Sequence, residues 1–171
     1  MALIKSISGI RGTIGGKPGE GLTPVDIVKF TSAYGSWLQK RFPGSVLKVV
    51  TGRDARRSGS MVSSLIINSL TGLGINVIDL GLATTPTVEL AVTGTSSHGG
   101  IIVTASHNPG EWNALKLLDE NGEFLSAEEG NEVLRIAGSD EFIFAQVDAI
   151  GSLTHDDSWG DRHIEQILRL N

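Results

Sequence analysis

Gly100-Ile101-Ile102-Val103, running into Thr104-Ala105-Ser106-His107-Asn108-Pro109, is a short apolar run that ends in a polar turn. Such a run reads as a buried strand, and the turn after it delivers Ser106 to the strand's end. In α/β proteins that is where reactive groups commonly sit, on loops held by a rigid scaffold. Ser106 is therefore the first candidate for chemistry.

Outward from this strand, short apolar runs alternate with amphipathic stretches, the pattern of an α/β fold. Thr23-Pro24 opens a helix with an N-cap and an early proline, and Ile27, Phe30, Tyr34, Trp37 and Leu38 form one face until Pro43-Gly44. Residues 46–50 read as a strand. Ser58 caps a second helix carrying Met61, Val62, Leu65, Ile66, Leu70 and Leu73, which Gly74 stops. Residues 75–78 return as a strand, Thr85-Pro86 starts a short helix, and residues 114–118 form a further strand before the turn Glu120-Asn121-Gly122. Ser126-Ala127-Glu128-Glu129 is a capping box for a helix with Val133, Leu134 and Ile136 on its apolar side. The expectation is a three-layer sheet with helices on both faces, right-handed crossovers, and loops after the strands gathered along one ligand-binding edge. Residues 1–154 are expected to form this domain. Residues 155–171, with Ile164, Ile167, Leu168 and Leu170 in helical spacing, read as a linker and the start of a truncated second domain.

The 171 residues carry a net charge of −5 without a Lys/Arg run, which gives no support to a nucleic-acid or anionic-membrane partner and favours a small molecule. There is no cysteine, no signal-peptide pattern at the N-terminus and no bilayer-length apolar segment, so the chain reads as cytoplasmic. Three familiar signatures fail. Gly15-Gly16-Lys17 lacks the leading glycine and the metal-binding hydroxyl of a nucleotide P-loop, where Arg11 and Pro18 stand instead. Gly72-Leu73-Gly74 ends a helix rather than opening a dinucleotide fingerprint. Ser106 with His107 lacks the flanking glycines of a hydrolase nucleophile elbow.

Charge placement is more telling. No lysine or arginine occurs from Ser58 through Leu115, and then Lys116 appears within an apolar strand. It either awaits an anion or snorkels to water from a strand end. Thr51-Gly52-Arg53-Asp54 ends a strand, and Ser8-Gly9-Ile10-Arg11-Gly12 reads as a loop with two glycines around an arginine. Each offers backbone N–H groups and a guanidinium, the materials that hold phosphate, or else a solvated surface arginine. Asp54 beside Arg53 can equally be an ion pair, and Arg56 and Arg57 an exposed helix start. His107 either serves a leaving oxygen or phosphate or orients Ser106, and Asn108-Pro109 shapes the turn. His98, His155 and His163 read as surface or packing residues.

Taken in order, residues 8–12, Gly52-Arg53-Asp54, Thr85-Pro86, residues 104–109 and Trp112-Asn113-Ala114-Leu115-Lys116 resemble the α-D-phosphohexomutase family, which includes phosphoglucomutase, phosphomannomutase and phosphoglucosamine mutase. The resemblance runs from about Ala2 to the end of the chain and covers the first of that family's four domains. It implies a three-layer α/β/α domain with a mostly parallel mixed sheet. It also implies that Ser106 is a phosphoserine exchanging phosphoryl groups with a hexose phosphate through a bisphosphorylated intermediate, with a sugar bisphosphate as activator. Arg11 and Lys116 match positions beside the transferred phosphate, and His107 one that contacts substrate or phosphate. Ser8, Arg53, Asp54, Asn108 and Asn113 match substrate- or phosphate-binding positions, Asn113 also supporting the turn. Ala114 stands where the family usually has glycine, a change tolerable in extended backbone and strained in a left-handed one. Mg2+ is implied, with the Ser106 phosphate as one ligand and the rest on an aspartate-rich loop of a second domain, for which Asp156-Asp157 is no substitute. The implied partners are a hexose phosphate and further domains of the same chain, and these residues alone are expected to fold without turning over. A standalone sugar-phosphate-binding module, with Ser106 as an anion-binding turn, is the alternative.

Overall fold

In the computed structural model, which describes residues 1–6 and 9–170, the alternating runs become strands and helices in the expected order. They are β1 (Leu3–Ser6), β2 (Gly9–Thr13), α1 (Pro24–Arg41), β3 (Lys48–Arg53), α2 (Gly59–Gly72) and β4 (Asn76–Leu82). Then follow α3 (Thr85–Gly94), β5 (Gly99–Val103), β6 (Trp112–Leu118), α4 (Ala127–Ser139), β7 (Leu153–His155) and α5 (Trp159–Leu168). The strands make one sheet in the order β1-β2-β6-β5-β3-β4-β7. Pairing is parallel for β5-β3, β3-β4 and β4-β7 and antiparallel for β1-β2, β2-β6 and β6-β5. The α/β class and the layering hold, while the sheet is evenly mixed rather than mostly parallel.

Side-chain alternation divides the core between the two faces of the sheet. Val49, Ile101, Val103, Leu115 and Leu117 pack with α1, α2 and α4, whereas Val50, Ile102 and Leu118 pack with α3 and Trp159 of α5. β5 is buried along its whole length because helices cover it on both sides. Helix α1 starts at a complete capping box: the Thr23 hydroxyl accepts from the Asp26 N–H, and the Asp26 carboxylate accepts from the Thr23 N–H. Its predicted apolar face is buried throughout. Tyr34 sits at the centre, donating its hydroxyl to the Leu118 carbonyl at 2.6 Å, and burial pushes its phenol well above the usual range.

Several elements depart from expectation. Of residues 8–12, read as loop, those from Gly9 onward belong to strand β2, because β1 and β6 supply pairing partners on either side. Ser58 stands at the N-cap of α2, but its hydroxyl makes no cap bond and accepts instead from the Asn113 amide at 2.9 Å. β4 runs on to Leu82, past the expected end at residue 78, and β7 adds an unanticipated strand at the sheet's edge. After β7, α5 docks by one buried side chain, Trp159, while Ile164, Ile167 and Leu168 stay exposed. The Trp159 ring lies where a Cβ on Gly94 would be, 2.2 Å from its nearest atom, so only glycine seats it.

Gly9, beside the site, also has no room for a side chain. Its φ is +120°, and an added Cβ would lie 2.3 Å from the Leu115 carbonyl oxygen. Gly9→Ala should cost about 3 kcal/mol, combining a conformation disfavoured for side-chain residues with a backbone collision. That corresponds to a fall of roughly 6–12 °C in Tm, readable by calorimetry. A fall under about 2 °C would mean that β2 shifts freely against β6.

Candidate active site at the end of strand β5

The chain leaves β5 at Val103 and re-enters the sheet at Trp112 as the antiparallel β6, so residues 104–111 form a loop at one sheet edge. Three backbone bonds tighten it: Thr104 N–H to the Ala114 carbonyl at 3.2 Å, Asn108 N–H to Ala105 at 3.0 Å and Trp112 N–H to Pro109 at 3.0 Å. Within it Ser106 adopts φ +52°, a left-handed conformation that a non-glycine residue seldom takes. Its N–H donates to the Thr104 hydroxyl at 3.1 Å, and its side chain is exposed. Local strain of this kind persists only where surrounding structure imposes it.

The register between β2 and β6 places the cations. Arg11 pairs with Ala114, and Lys116 lies two residues beyond Ala114, so Arg11 and Lys116 are diagonal neighbours on one face of the sheet. This is the face of Ile102, which pairs with Lys116, beyond the part that α3 covers. Together with Ser106, His107 and Asn108 they line a cavity of about 230 Å3. Among the described residues no carboxylate lies within ion-pair distance of Arg11 or Lys116. The Lys116 ammonium rests 5.4 Å from the centroid of the Phe124 ring, half-buried, rather than reaching into solvent along a strand end. Two cations without internal anions beside an exposed serine make a site for an anionic ligand.

The other candidates fall elsewhere. Ser8 lies outside the described residues. Arg53 and Asp54 border a neighbouring cavity of about 460 Å3, formed with the loop after β4 and sharing only Thr104 with the first. The Asp54 carboxylate is turned inward: it accepts from Arg56 N–H at 3.0 Å, Arg56 Nε at 3.1 Å and the Thr104 hydroxyl at 2.7 Å. An anion so engaged shapes the loop rather than binding phosphate. Asn113 is fully buried, its Nδ2 donating to Ser58 and its Oδ1 accepting from the Ala114 N–H at 2.8 Å, so it supports the turn and lines neither cavity. Ala114 is accommodated because β6 is extended there. His163, expected as a surface or packing residue, joins α5 to α3 through a 2.9 Å hydrogen bond with the Thr87 hydroxyl.

Arg56, read from sequence as a plain helix start, proves central to the loop. Its side chain is only 12% exposed and its guanidinium reaches four carbonyls of the segment 106–112. These partners are backbone oxygens some fifty residues away, which leave no side-chain signature in the sequence.

A strand-end serine beside two cations that have no carboxylate in reach among the described residues sits here on a mixed sheet between helical layers, an α/β domain. The sequence model of the family described as phosphoglucomutase/phosphomannomutase, alpha/beta/alpha domain I, matches residues 3–144, and the chain belongs to this family. A phosphoglucomutase/phosphomannomutase of Thermococcus kodakarensis is 38% identical over 148 residues, covering 85% of this chain and 32% of that protein. A phosphoglucosamine mutase of Helicobacter pylori is 32% identical over 152 residues, covering 87% and 34%. Among solved structures, a phosphoglucomutase/phosphomannomutase family protein from Burkholderia thailandensis superposes with a TM-score of 0.79 over 96% of this chain and 35% of that one, at 24% identity. The chain spans about a third of the length of these relatives.

Proposed function

We propose that this chain is the phosphate-carrying domain of a phosphohexomutase that interconverts 1-phospho and 6-phospho hexoses. The observation that carries the reading is the convergence of Ser106 with Arg11 and Lys116 on one cavity. Ser106 Oγ holds the phosphoryl group. A free hydroxyl of the hexose monophosphate attacks phosphorus in line; the new sugar O–P bond forms as the Oγ–P bond breaks, the hydroxyl proton leaves to a base, and the departing Oγ takes up a proton from an acid. The product is a hexose bisphosphate and free serine. After the bisphosphate turns round, Ser106 Oγ takes its other phosphoryl group and the second monophosphate departs. Splitting one transfer between distant hydroxyls into two in-line steps is the advantage of a covalent carrier. Arg11 and Lys116 stabilise charge on the transferring oxygens, and His107 serves as hydrogen-bond donor or proton shuttle at Ser106.

The Mg2+ expected from the resemblance finds no complete site here. Among the described residues no three His, Asp or Glu side chains come together as ligands, and no step is drawn through the metal. We assign its other ligands, with the sugar contacts, to regions that the longer relatives possess outside the matched third. No helix among the described residues is long and apolar enough to cross a membrane.

Incubation of the full-length protein with glucose 1,6-bisphosphate, followed by peptide mapping, tests the reading. Phosphate should appear on the peptide containing Ser106, whereas the 171 residues alone should show no mutase turnover. Phosphate on another residue, or none, would remove Ser106 as the carrier.

A further inference from the structure

We infer that Arg56 is a positioning residue that holds the Ser106 loop in its phosphate-accepting shape by drawing the loop's carbonyl oxygens away from the cavity. A guanidinium has five N–H donors in a fixed planar fork, and every one is used. Nε donates to Asp54 Oδ2 at 3.1 Å, Nη1 to the carbonyls of Pro109 at 2.7 Å and Trp112 at 3.1 Å, and Nη2 to those of Ser106 at 2.8 Å and Asn108 at 2.7 Å. Asp54 is the second half of the device. Its Oδ2 also accepts from the Thr104 hydroxyl, whose oxygen in turn accepts from the Ser106 N–H. Arg56 thus grips the Ser106 residue on both sides, at its own carbonyl and, through Asp54 and Thr104, at its amide.

The electrostatic consequence follows from where Arg56 stands. It does not line the cavity that Ser106 faces, so the four carbonyls it gathers point their negative ends away from the place where a phosphate would sit. Peptide oxygens turned toward that place would repel the phosphoryl oxygens. The left-handed φ of Ser106 falls at the second residue of the Ala105–Asn108 turn, which Asn108 N–H closes on the Ala105 carbonyl at 3.0 Å, and the clamp holds that turn from outside through the Ser106 and Asn108 carbonyls. Arg56 makes no hydrogen bond to the Ser106 Oγ and does not line the cavity, so its influence on chemistry is through the loop alone.

This inference rests on Ser106 being the phosphate carrier, and the test separates the two. The dephosphorylated full-length protein and its Arg56→Lys and Arg56→Ala variants are charged with glucose 1,6-bisphosphate, and uptake is followed by intact mass alongside Tm and amide exchange of the 104–112 peptide. Lysine keeps the charge but cannot reproduce a planar five-donor fan, so Arg56→Lys should charge at least about tenfold more slowly, with faster exchange across the loop. Millimolar guanidinium should restore part of the rate to Arg56→Ala and leave the parent unaffected. An Arg56 that merely stabilises the fold would lower Tm while the folded protein charged at the parental rate. Parental charging by Arg56→Lys, or unchanged loop exchange in it, would overturn the inference, and this variant decides alone if Arg56→Ala does not fold. A parent that takes up no phosphate would defeat the proposed function instead, leaving loop exchange in Arg56→Lys to judge the clamp.

Discussion

Ser106→Gly should give a protein that is slightly more stable and chemically inert. Ser106 sits at φ +52°, where a residue with a Cβ pays about 1–2 kcal/mol relative to right-handed backbone. Glycine escapes that penalty, and its greater freedom in the unfolded chain returns roughly 0.5–1 kcal/mol of the gain. The net rise in Tm should be about 1–3 °C. Phosphate uptake from glucose 1,6-bisphosphate should vanish, and mutase turnover of the full-length protein should drop by roughly three orders of magnitude or more, the scale for deleting a covalent nucleophile. Ser106→Ala separates the two effects: it loses Oγ but keeps the Cβ, so it should be equally inert without the gain in stability. Calorimetry and intact mass on the three proteins read both. A glycine variant that is destabilised would show that the left-handed turn is not strained, and uptake persisting in both variants would place the carrier elsewhere.

The parts of the fold legible in the sequence were those with local causes. The N-cap at Thr23, the capping box at Ser126, the Gly74 stop and the apolar run of β5 each act within a few residues, and each appears where it was read. The site's carriers of charge were legible for a related reason: Lys116 is conspicuous as a lone cation in an apolar strand. What escaped was non-local. β2 has two glycines, an arginine and no alternation, and is a strand only because β1 and β6 flank it. β7 is three exposed residues long, too short to carry a pattern. Ser58 had the right identity for a cap, yet Asn113 captured its hydroxyl from 55 residues away. Arg53 and Asp54 were grouped with the serine through the family resemblance, but they border a different cavity, where Arg56 holds the Asp54 carboxylate.

Lys116→Ala should lower kcat of the full-length mutase by about two to four orders of magnitude, the effect of removing a preorganised charge from a transition state. The expectation follows from the register of the sheet. β6 is pinned by β5 on one side and β2 on the other, so the Lys116 backbone cannot drift, and its ammonium is steadied over the Phe124 ring. A charge held this way needs no reorganisation as negative charge builds on the phosphoryl oxygens. It is also paired with no carboxylate among the described residues, so removing it leaves no orphaned anion. The folded state should therefore lose only the ring contact, about 0.5–1 kcal/mol, and Tm should fall by no more than roughly 4 °C. Because Arg11 remains on the same face and still attracts the ligand's phosphate, KM should change far less than kcat. Steady-state kinetics with a hexose monophosphate provide the measurement. A change in kcat under about threefold would leave Lys116 a structural residue of the strand, and a loss confined to KM would make it a ground-state binder with no special hold on the transferring group.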